Sequence, residues 1–244
     1  MNQNDKFKLW PQISLMIFLS VYWGNCVFPQ SKVSNKYGLF VIKDIQILQQ
    51  EINRNPDKKM INLKKIIPDI VVDLKYATAD NFMHVKLYPP LKTTYLRKPV
   101  ADSLKKVAED LKQMNLGIKI FDAYRPYSVT VQMWEKVKDD RYAADPAKGS
   151  GHNRGISVDL TLIDLHTKKE LPMPTHFDNF SDTAHQNFMN LPAEILNNRK
   201  TLKNIMEKHG FIALDTEWWH FYLSHSSEYE LLDLSFAELK KISK

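Results

Sequence analysis

The residues of this chain best suited to chemistry lie in two short stretches, Gly149-Ser150-Gly151-His152-Asn153-Arg154-Gly155-Ile156-Ser157-Val158-Asp159 and Thr216-Glu217-Trp218-Trp219-His220-Phe221-Tyr222. His152, Asp159 and His220 offer two imidazoles and one carboxylate, a donor set that zinc accepts, and catalytic zinc keeps a fourth position open for water. Two positive charges less one carboxylate leave a net positive centre, which brings the pKa of water there toward neutrality. Glu217, three residues before His220, is placed to take that water's proton and pass it to a leaving amine. Arg125, within Asp122-Ala123-Tyr124-Arg125-Pro126, is a cation suited to an oxyanion formed on an attacked carbonyl. Each residue also has a plainer role. A lone histidine is more often a hydrogen-bonded structural residue than a ligand, the His152 to Asp159 spacing is not among the strongest zinc signatures, and an isolated exposed arginine commonly makes a weak surface pair. The five together are far more specific than any one.

Such groups matter only if the backbone brings them together. Three of the chain's seven glycines bracket His152, and glycine reaches backbone angles that other residues avoid, so a tight loop presenting the imidazole is expected. From Gly155, Ile156, Val158, Leu160 and Leu162 alternate with Ser157, Asp159 and Thr161, the pattern of a half-buried strand whose polar face carries Asp159 toward that loop. The aromatic run at 218–222 is a strand former. Alternation puts Trp218, His220 and Tyr222 on one face and Glu217 on the other, so Glu217 can share a site with His220 only from the turn before the strand or from a bulge. Ile118 to Asp122 reads as another strand. Pro126 disfavours helical geometry at Arg125 and suits a first helical turn, which leaves Arg125 at a strand-to-helix corner. Tyr127, Val131 and Trp134 supply the stripe of the helix that follows.

The other elements follow from periodicity. Val100, Leu104, Val107, Leu111 and Met114 stripe a helix opened by Pro99 and closed by Gly117, and Ile195, Leu202, Ile205 and Met206 stripe one running from Pro192 to Gly210. Ile70, Val72, Leu74 and Tyr76 alternate as a strand, Leu171 to Met173 returns as a strand after the turn near Asp164 to Lys169, and residues 174–190 are irregular. Val41, Ile45, Leu48 and Ile52 stripe a helix ended by Asn53-Arg54-Asn55-Pro56-Asp57. The fold expected for the chain is an α+β domain with a central antiparallel sheet flanked by helices.

Composition bounds the reading. A chain of 244 residues, 43% hydrophobic and 25% charged, builds one good core with extensions. Lys6 and Lys8 precede an apolar run from Ile13 to Trp23, short for a membrane span and right for the core of a secretory signal. Residues 1–26 are expected to be a signal peptide or an N-terminal anchor, and the chain to be exported, to the periplasm or to the envelope membrane. The one cysteine, Cys26, follows the run, where a lipid could be attached, although Trp23-Gly24-Asn25 is a poor match to the small residues usual there. One cysteine excludes an intramolecular disulfide framework. Without residues 1–26 the net charge falls from +6 to +5, a modest and dispersed excess that argues against a nucleic-acid partner.

With these motifs in view, the chain resembles the zinc D-Ala-D-Ala metallopeptidases. Residues 150–159 match their Ser-x-His-x-x-Gly-x-Ala-x-Asp signature, and Glu217-Trp218-Trp219-His220 matches their second motif. Asp122-Ala123-Tyr124-Arg125-Pro126 and Asp73-Leu74-Lys75-Tyr76-Ala77-Thr78-Ala79-Asp80-Asn81-Phe82 look like the VanX-type D-alanyl-D-alanine dipeptidases in particular. The resemblance covers about residues 60 to 225 and implies one zinc per chain on His152, Asp159 and His220, Glu217 as general base and acid, and Arg125 as transition-state partner. It further implies that Asp178, in Thr175-His176-Phe177-Asp178, receives the ammonium of a small D-amino-acid dipeptide, and that Ser150 contacts substrate. Ser157 stands where the family usually has Ala, and Pro174 where a Gly is common.

The expected layout is therefore a leader at 1–26, an extension with a helix at 27–59, and a zinc D,D-dipeptidase domain at 60–244. The expected activity is hydrolysis of D-Ala-D-Ala to free D-alanine, with membrane contact only through the leader or a lipid on Cys26. Two alternatives remain at this point. A peptidoglycan D,D- or L,D-carboxypeptidase would act on stem peptides, and a non-catalytic zinc-binding cell-wall module would need neither Glu217 nor Arg125.

Overall fold

A computed structural model describes residues 34–140, 142–224 and 228–243. The Ile13 to Trp23 run and Cys26, with the expectations of export and lipidation, lie outside the described residues. Among the described residues no helix is long and apolar enough to cross a membrane. They belong to one compact unit, Val33–Lys244.

The N-terminal part opens with strand β1 (Val41–Ile42) and helix α1 (Ile45–Arg54), started by the Asp44 carboxylate, which accepts from the Gln46 N–H. That cap separates Val41 from the helix in which its spacing had placed it. Val41 is buried in a strand, while Leu48 carries the buried face of α1. Next come β2 (Met60–Asn62), the short α2 (Leu63–Ile66) and β3 (Val71–Val72). β3 is much shorter than the strand expected from Ile70 to Tyr76, because the chain leaves the sheet and makes a 3-10 turn at Lys75–Ala77, with Ile70, Leu74 and Tyr76 still buried.

β4 (Tyr95–Arg97) runs into α3 (Lys98–Gln113), whose Val100, Leu104, Val107 and Leu111 face the core as expected. Met114 does not, being 51% exposed. The helix ends at Gln113, four residues before Gly117, because Asn115 takes the left-handed φ of 56° that the turn requires. Gly117 belongs to the following strand, β5 (Leu116–Asp122). In α4 (Tyr127–Val137) the buried positions are Tyr127, Val129, Thr130 and Met133, so the apolar face is rotated from the expected Val131 and Trp134, which are half-buried.

The remaining elements are α5 (Gly151–Arg154), β6 (Ser157–Asp164), α6 (Ala193–Lys208), β7 (Phe211–Ala213), β8 (His220–Leu223), β9 (Leu231–Leu232) and α7 (Phe236–Ile242). Beyond β6 the return strand at Leu171 to Met173 reduces to a single bridge, Ile163 to Glu170. Residues 174–190 hold one 3-10 turn and otherwise loop, as expected.

The central sheet has the order β3-β5-β6-β8-β7, antiparallel throughout except for the edge pair β3 and β5. Packed against it are α3 and α6, which also touch each other. This is the α+β architecture expected from the sequence. β6 departs from expectation in one respect: both of its faces are buried from Ser157 to Ile163. Its polar side chains are therefore covered by protein, where each needs a partner or carries a cost.

Register is what the sheet contributes to chemistry. Asp159 on β6 lies directly opposite His220 on β8, and opposite Asp122 on β5 beyond a bulge between Ile120 and Asp122. Directly opposed residues put their side chains on the same face, so three neighbouring strands present Asp122, Asp159 and His220 side by side.

Candidate active site and metal centre

The loop before β6 is more regular than its glycines implied. Ser150 caps α5 through a capping box: its Oγ accepts from the His152 N–H at 3.1 Å, and the Asn153 side chain accepts from the Ser150 N–H at 3.0 Å. Gly151 is required by packing, since a Cβ there would lie 2.0 Å from Ser157 Oγ. Gly155 ends the helix at a φ of 72°, the left-handed C-terminal position that glycine serves best.

α5 delivers His152 to the polar face of β6. Its Nε2 lies 3.4 Å from Asp159 Oδ2 and 3.2 Å from His220 Nδ1, and His220 Nδ1 lies 2.8 Å from Asp159 Oδ1. In a tetrahedral site with bonds of about 2.0–2.1 Å, ligand atoms stand about 3.3 Å apart, and this triad is close to that spacing. His152 Nδ1 is 2.7 Å from the Ala123 carbonyl. That oxygen can only accept, so it fixes the proton on Nδ1 and leaves the Nε2 lone pair pointing at the cluster. The donors thus fit a divalent cation in spacing and in chemistry. Among the described residues this is the one group of its kind.

Burial alone would raise the Asp159 carboxyl, but the two imidazoles outweigh it and hold the group well below the usual carboxylate range. At His220 burial opposes the charged form, yet the hydrogen bond and charge of Asp159 leave the imidazole above its ordinary value.

Glu217 sits where geometry demanded. β8 begins only at His220, and Glu217 lies in the preceding turn, with Oε2 4.0 Å from His220 Nδ1. Trp218 and Trp219, both buried, anchor that turn. Burial pushes the Glu217 carboxyl upward, more than the nearby His220 draws it down.

Arg125 is no surface arginine. It is 7% exposed, and its Nε and an Nη meet Asp122 Oδ2 at 2.9 and 2.8 Å. Asp122 Oδ1 accepts from the Tyr88 hydroxyl at 3.1 Å. Burial disfavours the guanidinium charge, but Asp122 more than compensates, so Arg125 remains a cation.

Asp178 faces the same cavity at a left-handed φ of 60°, a conformation aspartate tolerates better than most residues. Its Oδ1 accepts from the Tyr76 hydroxyl at 3.0 Å and its Oδ2 from the Phe82 N–H at 3.3 Å. Burial pushes its carboxyl up to about 7. Tyr76 was not singled out from the sequence, where it read as a core-facing strand residue. Its ring lies 4.9 Å from the Arg125 guanidinium carbon while its hydroxyl holds Asp178. Asn153 was likewise missed as a support, since nothing in its local sequence marks its partners, and so was Asp122, although it stands three residues from Arg125.

All seven expected site residues, His152, Asp159, His220, Glu217, Arg125, Asp178 and Ser150, border one cavity of about 290 Å³. Ser150 is there mainly as a helix cap, with its hydroxyl proton left available. An α+β domain whose sheet gathers a His-Asp-His cluster beside a buried acid and a buried arginine is, as a class, a peptidase with a candidate metal centre. The chain belongs to the D-ala-D-ala dipeptidase family, whose sequence pattern matches residues 56–241.

It is 34% identical over 179 residues to a D-alanyl-D-alanine dipeptidase of Escherichia coli (strain K12), covering 73% of this chain and 92% of that protein. It is 29% identical over 183 residues to one of Enterococcus faecium, covering 66% and 89%. Among solved structures, the LdcB LD-carboxypeptidase aligns over 65% of this chain and 74% of its own, at 18% identity and a TM-score of 0.38.

Proposed function

We propose that this protein hydrolyses D-Ala-D-Ala to two molecules of D-alanine with one zinc ion held by His152, Asp159 and His220. The observation that carries the reading is that one small cavity is bordered at once by the donor triad, Glu217, Arg125 and Asp178. A cavity of about 290 Å³ has room for a dipeptide of eleven non-hydrogen atoms.

Zinc at the triad would supply a Lewis acid for the scissile carbonyl and make water acidic enough to lose a proton near neutral pH. Asp178 receives the substrate ammonium and so sets which carbonyl lies beside the triad. Glu217, its carboxyl raised by burial, takes a proton from water as the water oxygen adds to the carbonyl carbon. The resulting oxyanion lies against Arg125, whose pairing with Asp122 holds it in place before substrate arrives. Glu217 then returns the proton to the departing amine as the C–N bond breaks. His152, its tautomer fixed by Ala123, turns its Nε2 toward the place where the ion would be held.

The test is metal content together with assays of the zinc-loaded protein on D-Ala-D-Ala and on a stem pentapeptide. Cleavage of the dipeptide alone, with one zinc per chain, is expected. Release of D-Ala from the pentapeptide at comparable efficiency would favour a carboxypeptidase, and zinc binding with neither activity a non-catalytic module. Export is part of the proposal and rests on Lys6, Lys8 and the Ile13 to Trp23 run. Mass spectrometry of the mature N-terminus and of Cys26 checks cleavage and lipidation.

A further inference from the structure

Arg125 immediately precedes Pro126, the cap residue of α4, so its own carbonyl lies outside the helix and has no helical partner. A buried carbonyl in that position needs a donor. Asn153 provides it: Nδ2 donates to the Arg125 oxygen at 2.9 Å and to Thr130 Oγ1 at 2.8 Å. Asn153 Oδ1 accepts from the Ser150 N–H, so this fully buried amide uses both donors and an acceptor. In the other direction the Arg125 N–H donates to the His152 carbonyl at 3.2 Å. α5 therefore grips the Arg125 backbone at both its N–H and its C=O. On another side α5 packs closely on β6, since a Cβ on Gly151 would lie 2.0 Å from Ser157 Oγ.

Resting on the function proposed above, we propose that Asn153 is a positioning residue that sets the distance between the donor on His152 and the guanidinium of Arg125. Oxyanion stabilisation depends steeply on that distance, and a displacement of about 1 Å can cost about 100-fold in rate. Thr130 supplies a control, because Thr130→Val removes one of the two Asn153 donations and leaves the one to Arg125.

The experiment compares Asn153→Ala, Asn153→Asp and Thr130→Val with the wild type, all zinc-loaded and checked for folding by thermal melting. Asn153→Asp keeps the shape and the acceptor but turns the donor facing Arg125 into an acceptor. Both Asn153 variants are expected to bind one zinc per chain and to lose about 10- to 100-fold in kcat with KM changed less than about threefold. A phosphinate analogue of the dipeptide, tetrahedral at the reacting centre, should bind them weaker by a similar factor in calorimetry, which needs no turnover. Thr130→Val should lower the melting temperature and leave kcat and analogue affinity as in the wild type. The assignment is overturned if folded, zinc-loaded Asn153→Ala keeps wild-type kcat and analogue affinity, if both variants lose zinc in step with activity, or if Thr130→Val loses as much kcat as Asn153→Ala. A wild type that neither cleaves the dipeptide nor binds the analogue overturns the proposed function, and this assignment with it.

Discussion

Asp178 allows a test that is insensitive to everything else in the site. Its carboxyl is pushed up to about 7 by burial, and only its ionised form can pair with an ammonium. With an α-amino pKa near 8 and a carboxyl pKa near 7, the product of the two charged fractions rises about twentyfold between pH 5.5 and 7.5. The assay is kcat/KM for D-Ala-D-Ala divided by kcat/KM for D-lactoyl-D-alanine, in which a neutral hydroxyl replaces the ammonium. Metal occupancy and the titration of Glu217 act on both substrates and cancel in the ratio. The ratio should climb about twentyfold over that range in the wild type and stay flat in Asp178→Asn. A flat ratio in the wild type, or the same climb in Asp178→Asn, refutes the assignment of Asp178. The same shift has a consequence for stability. The folded pKa lies above the ordinary aspartate value of 3.8, so the folded state holds the extra proton between those values. Asp178 therefore costs stability that grows as pH rises from about 4 to about 7. Asp178→Asn should be more stable to unfolding than the wild type at pH 8, by up to ~4 kcal/mol before discounting for partial solvent access, and no more stable at pH 4.

Three further outcomes are expected. Glu217→Gln should retain one zinc by metal analysis and lose about 100- to 10,000-fold in kcat; near-normal turnover would remove Glu217 from proton transfer. Gly151→Ala should destabilise by about 1–3 kcal/mol through its clash with Ser157 Oγ, and adding Ser157→Ala should recover part of the loss, so additive melting shifts would refute the packing explanation. Removing metal with a chelator should lower the melting temperature, the lost stability depending on the free zinc it replaces and reaching about 4 kcal/mol at a thousand times Kd, and this dependence should vanish in His152→Ala.

The residues of the candidate site were more legible in the sequence than the partners around them. His152, Asp159 and His220 were legible because their motif and a two-residue strand period leave few ways to place them, and the requirement that Glu217 sit in a turn followed from the same period. Long-range partners were not legible. The pairing of Arg125 with Asp122 could be seen as proximity in sequence, but the Tyr88 hydroxyl behind it comes from 34 residues away, and Tyr76 reaches Asp178 across 102. Local periodicity also misjudged exposure. β6 alternates like a half-buried strand and is buried on both faces, because protein rather than solvent covers its polar side. Asn115 and Asp44 ended or began helices where glycine or spacing had pointed elsewhere, since side-chain caps and left-handed asparagine leave only a faint trace in composition.

β1 pairs in parallel with β9, and Leu231 of β9 lies so close to Gly149 that a Cβ there would come within 2.5 Å of it. The outline by which the family is recognised starts at residue 56, yet the scaffolding behind the histidine-bearing turn begins fifteen residues earlier. A protein trimmed to the family outline would forfeit the strand that braces Leu231, and with it some of the rigidity on which the donor cluster depends.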